Sequence, residues 1–316
     1  MIISFREKVE ILPTLIKNLS QQSYENFEVL IVNDGPVSQP NNLLSDWASG
    51  DERFQYLKHK KNTIGKKSAL EFGIKNASNN WLVFTDIDCE PGDNWLEIIS
   101  KSIPDHPSIL LGVSPYKKKP GLLNKVIQGE TFITAIQYLG WAQKGKAYMG
   151  VGRNLIYHRQ VFEKYKFDSH RNIPFGDDDL LVNEAGKEFP IYILPDTEAM
   201  TYSAPPITWS EWYGQKSRHL SAGKFYTLKT QIRISIFNFS LALEKLLLLI
   251  LIFSSPVLAI IFILCKALFL IYPINKLKSS IGMISSLTDW LAYEWFHSLY
   301  LVFMSPYIFF KTKRKW

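Results

Sequence analysis

The feature that most constrains the fold is a long apolar run near the C-terminal end of the chain. Residues 246–265 contain no charged side chain, and a helix needs about 20 such residues to cross the hydrocarbon core of a bilayer. In the chain of 316 residues, charged residues are distributed among the apolar ones up to about residue 229, as they are in soluble proteins. The sequence therefore predicts a soluble-type domain over residues 1–229, followed by a membrane region over residues 230–316.

Inside the membrane region, residues 236–274 are apolar apart from three charged positions. Those positions are Glu244, Lys245 and Lys266. Pro256 lies near the middle of this stretch, and a proline there favours either a hairpin of two short spans or one long kinked helix. We expect the hairpin, while the kinked helix remains the alternative.

A third apolar stretch covers about residues 288–310, and a basic tail follows at residues 311–316. Lys and Arg are in excess on the cytoplasmic side of membrane proteins. If a hairpin precedes it, the third stretch is then expected to be interfacial or re-entrant. Glu294 in this stretch is costly unless it faces protein or water, and a helix lying on the membrane surface explains it equally well.

The composition excludes several classes of protein. Hydrophobic residues make up 47% of the chain and charged residues 21%, which rules out a disordered chain. The two cysteines, Cys89 and Cys265, rule out a disulfide scaffold. The net charge of +7 indicates an anionic partner, but basic residues flank apolar segments, where acidic lipid explains them. We therefore expect a membrane partner and no nucleic acid.

The first 200 residues alternate strand and helix patterns. Nearly continuous apolar runs at residues 27–32 and 81–85 are typical of strands buried on both faces of a parallel sheet. Helical spacing of apolar residues marks residues 10–19 and 66–77. Weaker strand patterns lie at residues 2–3, 54–57, 108–113, 155–157 and 191–194. This order predicts an α/β fold with a mostly parallel sheet, flanked by helices.

Carboxylates follow both of the strongest predicted strands. Asp34 comes shortly after the first, and Asp86 and Asp88 come directly after the second. Ligands of such sheets bind at the carboxyl ends of the strands, so we expect these acids to share one cleft. Two carboxylates one residue apart can hold Mg²⁺ or Mn²⁺ together with substrate phosphate and water. A solvated turn is the alternative interpretation of such a pair.

A second acidic cluster consists of Asp177, Asp178 and Asp179. Like charges this close raise the pKa of at least one carboxyl group, which suits a general base. Acidic residues are also favoured at the N-terminus of a helix, because they complement its dipole. A helix cap is therefore the alternative interpretation of this cluster.

Two basic motifs are candidate anion sites. Gly65, Lys66 and Lys67 open a predicted helix, where phosphate can bind, although the pattern is not a Walker loop and also fits a solvated basic helix end. Gln215 and Arg218 lie at helical spacing among aromatic residues, an arrangement that can grip a pyrophosphate. The alternative for this second motif is an amphipathic helix at the membrane surface. The aromatic residues are Trp209, Trp212 and Tyr213.

Taken together and in this order, these motifs resemble the family 2 glycosyltransferases with the GT-A fold. The matching stretches are residues 3–7, 28–35, 62–70, 84–88, 176–180 and 215–219. They span about residues 2–224, which is nearly the whole predicted soluble domain. The resemblance implies a GT-A (Rossmann-like) domain followed by C-terminal membrane helices, and an enzyme of the hexosyl-transferring class.

The resemblance also implies donor-binding roles for residues at the matching positions. Asp34 would face the nucleotide base, and Glu7 would lie near the nucleoside. Lys66 or Lys67 would help to hold the base or a phosphate.

For the diphosphate, the resemblance implies a DXD motif made by Asp86 and Asp88. Asp86 would contact the ribose or the metal, and Asp88 would ligate a divalent cation, Mg²⁺ or Mn²⁺, that holds the donor diphosphate. Gln215 and Arg218 match an element near the diphosphate and the acceptor. In this chain, His219 replaces the tryptophan of that element, which argues against processive polymer synthesis.

On the acceptor side, the resemblance implies that Asp178 is the general base, which deprotonates the acceptor hydroxyl. Asp177, where a glutamate is more usual, would orient that site. The implied reaction moves a sugar from a UDP-linked donor to a hydroxyl of a lipid or glycan, with inversion, in polysaccharide or glycolipid biosynthesis. Because nucleotide sugars are cytosolic, we expect a multi-pass protein of the cell (inner or plasma) membrane with its catalytic domain in the cytoplasm.

One alternative function is a catalytically degenerate membrane scaffold or sugar-nucleotide-binding module. His219 and the short first strand favour it, whereas the retained acidic motifs argue against it. The first residues show no signal peptide, and the short first strand fits either a start that lies upstream of residue 1 or a trimmed chain.

Overall fold

The computed structural model describes residues 1–7, 9–35, 50–59, 65–173, 175–283 and 286–310, with side chains as far as residue 302. Residues 62–64, which belong to one of the matching stretches, and the basic tail at residues 311–316 lie outside the described residues.

The chain divides into two compact units. The first consists chiefly of Met1–Ser114 and Tyr138–Ala204, and the second of Pro115–Gln137 and the chain from Pro205 onward. This division differs from the boundary expected near residue 229, which was drawn from hydropathy alone and stays a prediction. Each unit is described by itself below.

The first unit is built on a seven-stranded sheet with the strand order β3-β2-β1-β4-β7-β6-β8. Its strands are β1 (Ile2–Phe5), β2 (Val29–Asn33), β3 (Phe54–Lys58), β4 (Trp81–Phe84), β6 (Ile109–Leu111), β7 (Leu155–His158) and β8 (Ile191–Ile193). The first four strands are parallel, and β6 is parallel to β8. β7 runs antiparallel to both of its neighbours. The predicted α/β fold with a mostly parallel sheet is confirmed.

The centre of the sheet is buried because its strands are apolar on both faces. All five residues of β2 are buried, as expected for a parallel strand that is covered by helices on both sides. The first strand, which was expected to be short, pairs with β2 along its whole length and places Phe5 opposite Asn33. Gly73 lets its helix approach this strand closely, because a Cβ there would lie 2.7 Å from the Ile2 side chain.

Helices of the first unit are α1 (Leu12–Ser20), α2 (Lys66–Asn76), α3 (Trp95–Ser102), α5 (Arg159–Lys164) and α6 (Asp179–Ala185), while α4 (Leu122–Gln143) spans both units. A small second sheet pairs β5 (Cys89–Pro91) with β9 (Thr201–Ser203) in antiparallel orientation. The helix predicted at residues 10–19 begins with a 3₁₀ turn at Val9–Ile11, and its proline lies in the first α-helical turn, where proline is tolerated.

The second unit is helical. Its helices are α7 (Trp209–Ala222), α8 (Leu228–Ser254), α9 (Pro256–Ile281) and α10 (Leu287–Phe310). The basic, aromatic stretch at residues 209–229 is divided between two helices. α7 ends at Ala222, and α8 begins after Thr227, whose side chain accepts a hydrogen bond from the Thr230 amide. A threonine in this position caps a new helix.

α8 and α9 are the two helices in the described part of the chain that are long and apolar enough to cross a membrane. They are joined at Ser255 and fold back on one another, since Lys266 Nζ on α9 lies 3.2 Å from Glu244 Oε1 on α8. Most of their large apolar side chains are exposed, for example Phe253 at 86% and Phe269 at 80%. With 27 and 26 residues, both helices are longer than the short spans expected from the sequence.

Four charged residues meet between α8, α9 and α10, and we call Glu244, Lys245, Lys266 and Glu294 the helix charge cluster. Glu294 is only 5% exposed and pairs with both lysines, at 3.0 Å from Lys245 Nζ. Its other oxygen accepts a hydrogen bond of 2.7 Å from the indole of Trp290. Each lysine also pairs with Glu244. Glu294 therefore faces protein. Protein and water are the two environments in which a charged residue of an apolar stretch is tolerated.

Candidate active site

The parallel strands β1 and β2 end at the same edge of the sheet, and this edge carries the first candidate residues. The Asp34 amide, just beyond β2, donates to the carbonyl of Phe5 at 2.8 Å. Glu7 follows β1 and is exposed. The next turn requires a glycine, since a Cβ on Gly35 would lie 2.1 Å from the Arg6 carbonyl oxygen.

The side chain of Asp34 is buried and has two hydrogen-bond partners among the described residues. Its Oδ1 lies 3.1 Å from Nδ1 of His59, and its Oδ2 accepts a 3.2 Å hydrogen bond from the Gly65 amide at the start of α2. Gly65 has a φ of +142°, which few residues other than glycine adopt. The glycine thus places the helix start beside Asp34.

The first acid of the DXD motif is joined to the second acidic cluster by a lysine. Lys66 Nζ lies 2.9 Å from Asp86 Oδ1 and 3.3 Å from Asp177 Oδ2. Burial disfavours the charged lysine, but the carboxylates of Asp177, Asp86 and Asp178 outweigh burial and raise its pKa well above the ordinary value. We call Lys66, Asp86, Asp177 and Asp178 the acidic site.

Asp178 lies at the N-terminus of α6, where backbone amides hold both of its oxygens. Oδ2 accepts from Gly152 at 2.7 Å and Oδ1 from Asp179 at 2.8 Å. Burial, followed by the charge of Asp177, raises the pKa of Asp178 to about 6, while Lys66 and the two amides act in the opposite direction. Gly152 leaves little room, because a Cβ there would lie 3.1 Å from Asp178 Oδ2. The sequence predicted either a helix cap or a raised carboxyl pKa for this cluster. In the structure, Asp178 has both.

Lys67, the second lysine of the motif, has a different environment. It is buried, and its Nζ donates to the carbonyls of His170 and Ile173 at 2.8 and 2.9 Å. Burial lowers its pKa to about 8. Lys67 therefore ties the start of α2 to the segment that leads into the acidic cluster, and its role in donor binding stays a prediction.

All four residues of the acidic site line one cleft. It is lined by Lys66, Leu70, Phe84, Thr85, Asp86, Gly152, Leu155, Tyr157, Phe167, Asp177 and Asp178. Asp88 is exposed two residues beyond Asp86. The structure thus brings together Asp86 and the second acidic cluster, which are about 90 residues apart in sequence.

The carboxylates at the end of β4 fit a divalent metal by their chemistry. Asp86 is 32% exposed in its side chain, and Asp88 is exposed, so both can present oxygen ligands. In the described ranges no group of three or more His, Cys, Asp or Glu residues could hold a metal. Two carboxylates suit Mg²⁺ or Mn²⁺, which take oxygen ligands and keep water and substrate phosphate in their shells.

Gln215 and Arg218 belong to the second unit. Gln215 Nε2 on α7 donates a 2.8 Å hydrogen bond to the hydroxyl of Tyr116, while Arg218 and His219 are exposed. Trp212 is buried and packs against Tyr300, with ring centroids 5.3 Å apart. Their predicted roles near the diphosphate and the acceptor stay predictions.

Two residues that contact the predicted acids were not singled out by sequence reasoning. His59 pairs with Asp34, and Gly152 donates to Asp178. The signal for His59 was its position just after a predicted strand, at the edge that carries Asp34. Gly152 belongs to a Gly-Val-Gly sequence before β7, a pattern that by itself indicates only a turn.

Comparison with known proteins adds a family and a fold. The model of glycosyl transferase family 2 matches residues 1–166. The chain is 22% identical over 163 residues to glycosyltransferase GlyA of Streptococcus pneumoniae, covering 48% of this chain and 23% of that protein. It is 36% identical over 91 residues to an uncharacterized glycosyltransferase of Rickettsia bellii, covering 29% of this chain and 13% of that one. The chain thus spans less than a quarter of the length of either relative.

A solved structure shows the same fold. The mannosyltransferase PcManGT from Pyrobaculum calidifontis, in complex with GDP-Man and Mn²⁺, superposes with a TM-score of 0.55 at 14% identity and covers 96% of this chain and 86% of its own. This likeness supports the GT-A fold. The family model, which covers more than half of the sequence, leads to one conclusion: the chain belongs to glycosyl transferase family 2.

Proposed function

We propose that this glycosyltransferase moves a sugar from a UDP-linked donor to a hydroxyl of a lipid or glycan acceptor at the membrane, with inversion at the anomeric carbon. The observation that carries the proposal is the acidic site, in which Lys66 joins Asp86 of the DXD motif to the cluster that contains Asp178. This contact links the donor-binding motif to the candidate base.

Asp178 is the proposed general base. Its raised pKa of about 6 lies close to neutral pH, where a general base is most efficient. The carboxylate takes the proton of the acceptor hydroxyl, and the oxygen attacks the anomeric carbon. The bond from that carbon to the diphosphate breaks, and its electron pair leaves with the nucleoside diphosphate. Attack opposite the leaving group inverts the configuration.

Asp177 and Lys66 orient this base. Asp177 is adjacent to Asp178 and pairs with Lys66, and its charge helps to raise the pKa of Asp178. Lys66 counters part of the negative charge in the cleft, so that three carboxylates can lie close together before any ligand binds. It also presents an ammonium group to a donor phosphate.

Asp86 and Asp88 are the proposed holders of a divalent cation. Such a cation, when bound, supplies positive charge against the charge that builds on the departing diphosphate. Arg218 and Gln215 of α7 are proposed to contribute further to this stabilisation. The mannosyltransferase of similar fold was solved with Mn²⁺, which makes Mn²⁺ the first metal to test.

The acceptor is proposed to be bound at a membrane, since α8 and α9 are exposed, apolar and long enough to span one. Because nucleotide sugars are cytosolic, we propose that the catalytic domain over residues 1–229 lies in the cytoplasm. This arrangement fits an enzyme of polysaccharide or glycolipid biosynthesis in a cell membrane, to which the donor is delivered from the cytosol.

The test is a transfer assay with the full chain in membranes, Mn²⁺ and a panel of UDP- and GDP-sugars, with products identified by mass spectrometry. Wild type is expected to form a glycosylated lipid or glycan, whereas Asp88→Ala and Asp178→Ala are expected to form little or none. Asp105→Ala, which changes an exposed acid outside the acidic site, is the matched control. Unchanged turnover in both site variants would refute the proposal.

A further inference from the structure

We propose that His59 is a positioning residue for donor recognition: it fixes the Asp34 carboxylate so that this carboxylate reads a nucleobase edge that carries a ring N–H. The inference rests on the proposed function, because it assumes that Asp34 faces the base of a nucleotide donor. It adds a residue to which neither the sequence motifs nor the family resemblance gave a role.

Asp34 has little freedom of its own in the structure. Its side chain is 4% exposed, and its two oxygens are held from different sides. The Gly65 amide binds Oδ2 at 3.2 Å, and His59 Nδ1 lies 3.1 Å from Oδ1. A carboxylate accepts up to about four hydrogen bonds. Counted over the described residues, His59 and Gly65 take up two of these positions, and they fix the orientation of the carboxylate.

His59 is itself fixed by α2. Its Nε2 lies 3.3 Å from the hydroxyl of Ser68, and its ring packs on Phe72 with centroids 5.4 Å apart. Its backbone amide donates to the Asn33 carbonyl at 3.1 Å, which continues the pairing of β2 and β3. With a side chain that is only 10% exposed, the imidazole is a packed part of the site.

The partners of His59 determine its tautomer. A carboxylate only accepts hydrogen bonds, so Nδ1 beside Asp34 carries a proton and donates it to Asp34. This contact leaves Asp34 as an acceptor. An acceptor at this point favours a base with a ring N–H, as in uracil or guanine, over cytosine, whose corresponding ring nitrogen has no proton.

Two substitutions separate the two nitrogens of His59. In His59→Asn, the amide nitrogen takes the place of Nδ1 and keeps a donor for Asp34. In His59→Gln, the amide nitrogen takes the place of Nε2, so that the donor for Asp34 is lost. His106→Asn is the control, because His106 is exposed and pairs with Tyr192 at 3.0 Å on another part of the first unit.

The experiment measures binding of UDP, GDP and CDP to the purified full chain by calorimetry, with KM and kcat for the donor where transfer is detected. Wild type and the control are expected to bind UDP or GDP at least about tenfold more tightly than CDP, which corresponds to one well-made hydrogen bond. His59→Gln should weaken the preferred nucleotide about tenfold and lose most of the discrimination against CDP. KM should rise while kcat changes little.

His59→Asn is expected to stay within about threefold of wild type in affinity and to keep the discrimination, since the donor to Asp34 is retained. Equal behaviour of the two variants, or discrimination that survives in His59→Gln, overturns the role assigned to His59 while leaving the proposed function standing. Should wild type bind none of the three nucleotides, the proposed function fails, and this assignment fails with it. Ser68→Ala, which keeps the contact with Asp34, provides a second variant should His59→Gln not fold. It is expected to weaken the preferred nucleotide about two- to threefold, and an unchanged affinity would overturn the assignment.

Discussion

The acidic site and the helix charge cluster are built from the same kinds of residue but differ in charge balance. The helix charge cluster sets two glutamates against two lysines. The acidic site contains three carboxylates and one lysine, Lys66, and the charge of Lys67 also acts on Asp177 and Asp178. The charges of the first group are paired within the protein, whereas the second group holds more carboxylates than lysines and lines a cleft.

This difference separates a structural from a functional use of charge. Buried charges are tolerated when they are paired and hydrogen-bonded, and Glu294 meets both conditions through two lysines and Trp290. An excess of carboxylates that lie close together is costly until a cation balances their charge. The helix charge cluster is therefore expected to fix the packing of α8, α9 and α10, and the acidic site to recruit a ligand.

The largest effect is expected from removing the proposed general base of the acidic site. Asp178→Asn removes the proton acceptor while keeping the size of the side chain, so kcat should fall by about 10²–10⁴-fold. Asp168→Asn is the control, since Asp168 is an exposed acid that pairs with Arg171 on the surface. Transfer assays on both variants decide the point, and a kcat for Asp178→Asn within a few-fold of wild type would contradict the role of this residue.

The next largest effect is expected from removing one charge of the helix charge cluster. Glu294→Gln leaves the two lysines with only one carboxylate, and removing one partner of a buried ion pair costs about 3–5 kcal/mol of stability. Thermal unfolding of the full chain in detergent measures the loss. The double variant Glu294→Gln/Lys266→Met restores equal numbers of each charge and should recover part of it. A double variant that is less stable than Glu294→Gln would show that charge balance does not stabilise the cluster.

The third prediction concerns the stabilisation of the protein by a bound metal. Mn²⁺ that binds only the folded state at 100 times its dissociation constant should stabilise the protein by about 2.7 kcal/mol. Asp86→Asn should lose much of this effect, because it removes a proposed ligand. Glu294→Gln should keep the increment, since it changes only the helix charge cluster. Melting curves with and without Mn²⁺ test this, and an equal loss in both variants would remove the distinction.

The smallest effect is a displacement of the pH profile. Because burial and Asp177 raise the pKa of Asp178 to about 6, the carboxylate is protonated and inactive below that pH. The rate should therefore rise as pH increases through about 6. Asp177→Asn removes a like charge, so the pKa of Asp178 falls and the acid limb moves to lower pH. A profile of kcat/KM against pH checks the direction, and a limb that moves upward would contradict this electrostatic account.

Sequence patterns predicted the α/β fold and the edge of the sheet that carries the acids. Apolar runs such as residues 27–32 and 81–85 are local signals, and the ends of parallel strands share one edge. The antiparallel direction of β7 had no such signal, because a buried strand reads alike in both directions. The break between α7 and α8 had only one local signal, the threonine cap at Thr227 in a basic, aromatic stretch.

The partners of the acids were harder to predict than the acids themselves. Lys66 precedes Asp86 by 20 residues and Asp177 by more than 100, and no local spacing reports such contacts. The same holds for His59 and Asp34. Glu294 stood out in its apolar stretch, yet only the folded helices show that lysines of α8 and α9 neutralise it. Tertiary pairing therefore decides which charges belong to a site and which belong to the scaffold.

The most direct test of the account measures Mn²⁺-dependent UDP binding and transfer side by side in Asp88→Asn and Asp178→Asn. We expect Asp88→Asn to lose the metal-dependent part of nucleotide binding, while Asp178→Asn binds Mn²⁺ and UDP about as wild type does but no longer transfers the sugar. Nucleotide binding that is lost in Asp178→Asn and retained in Asp88→Asn would contradict it.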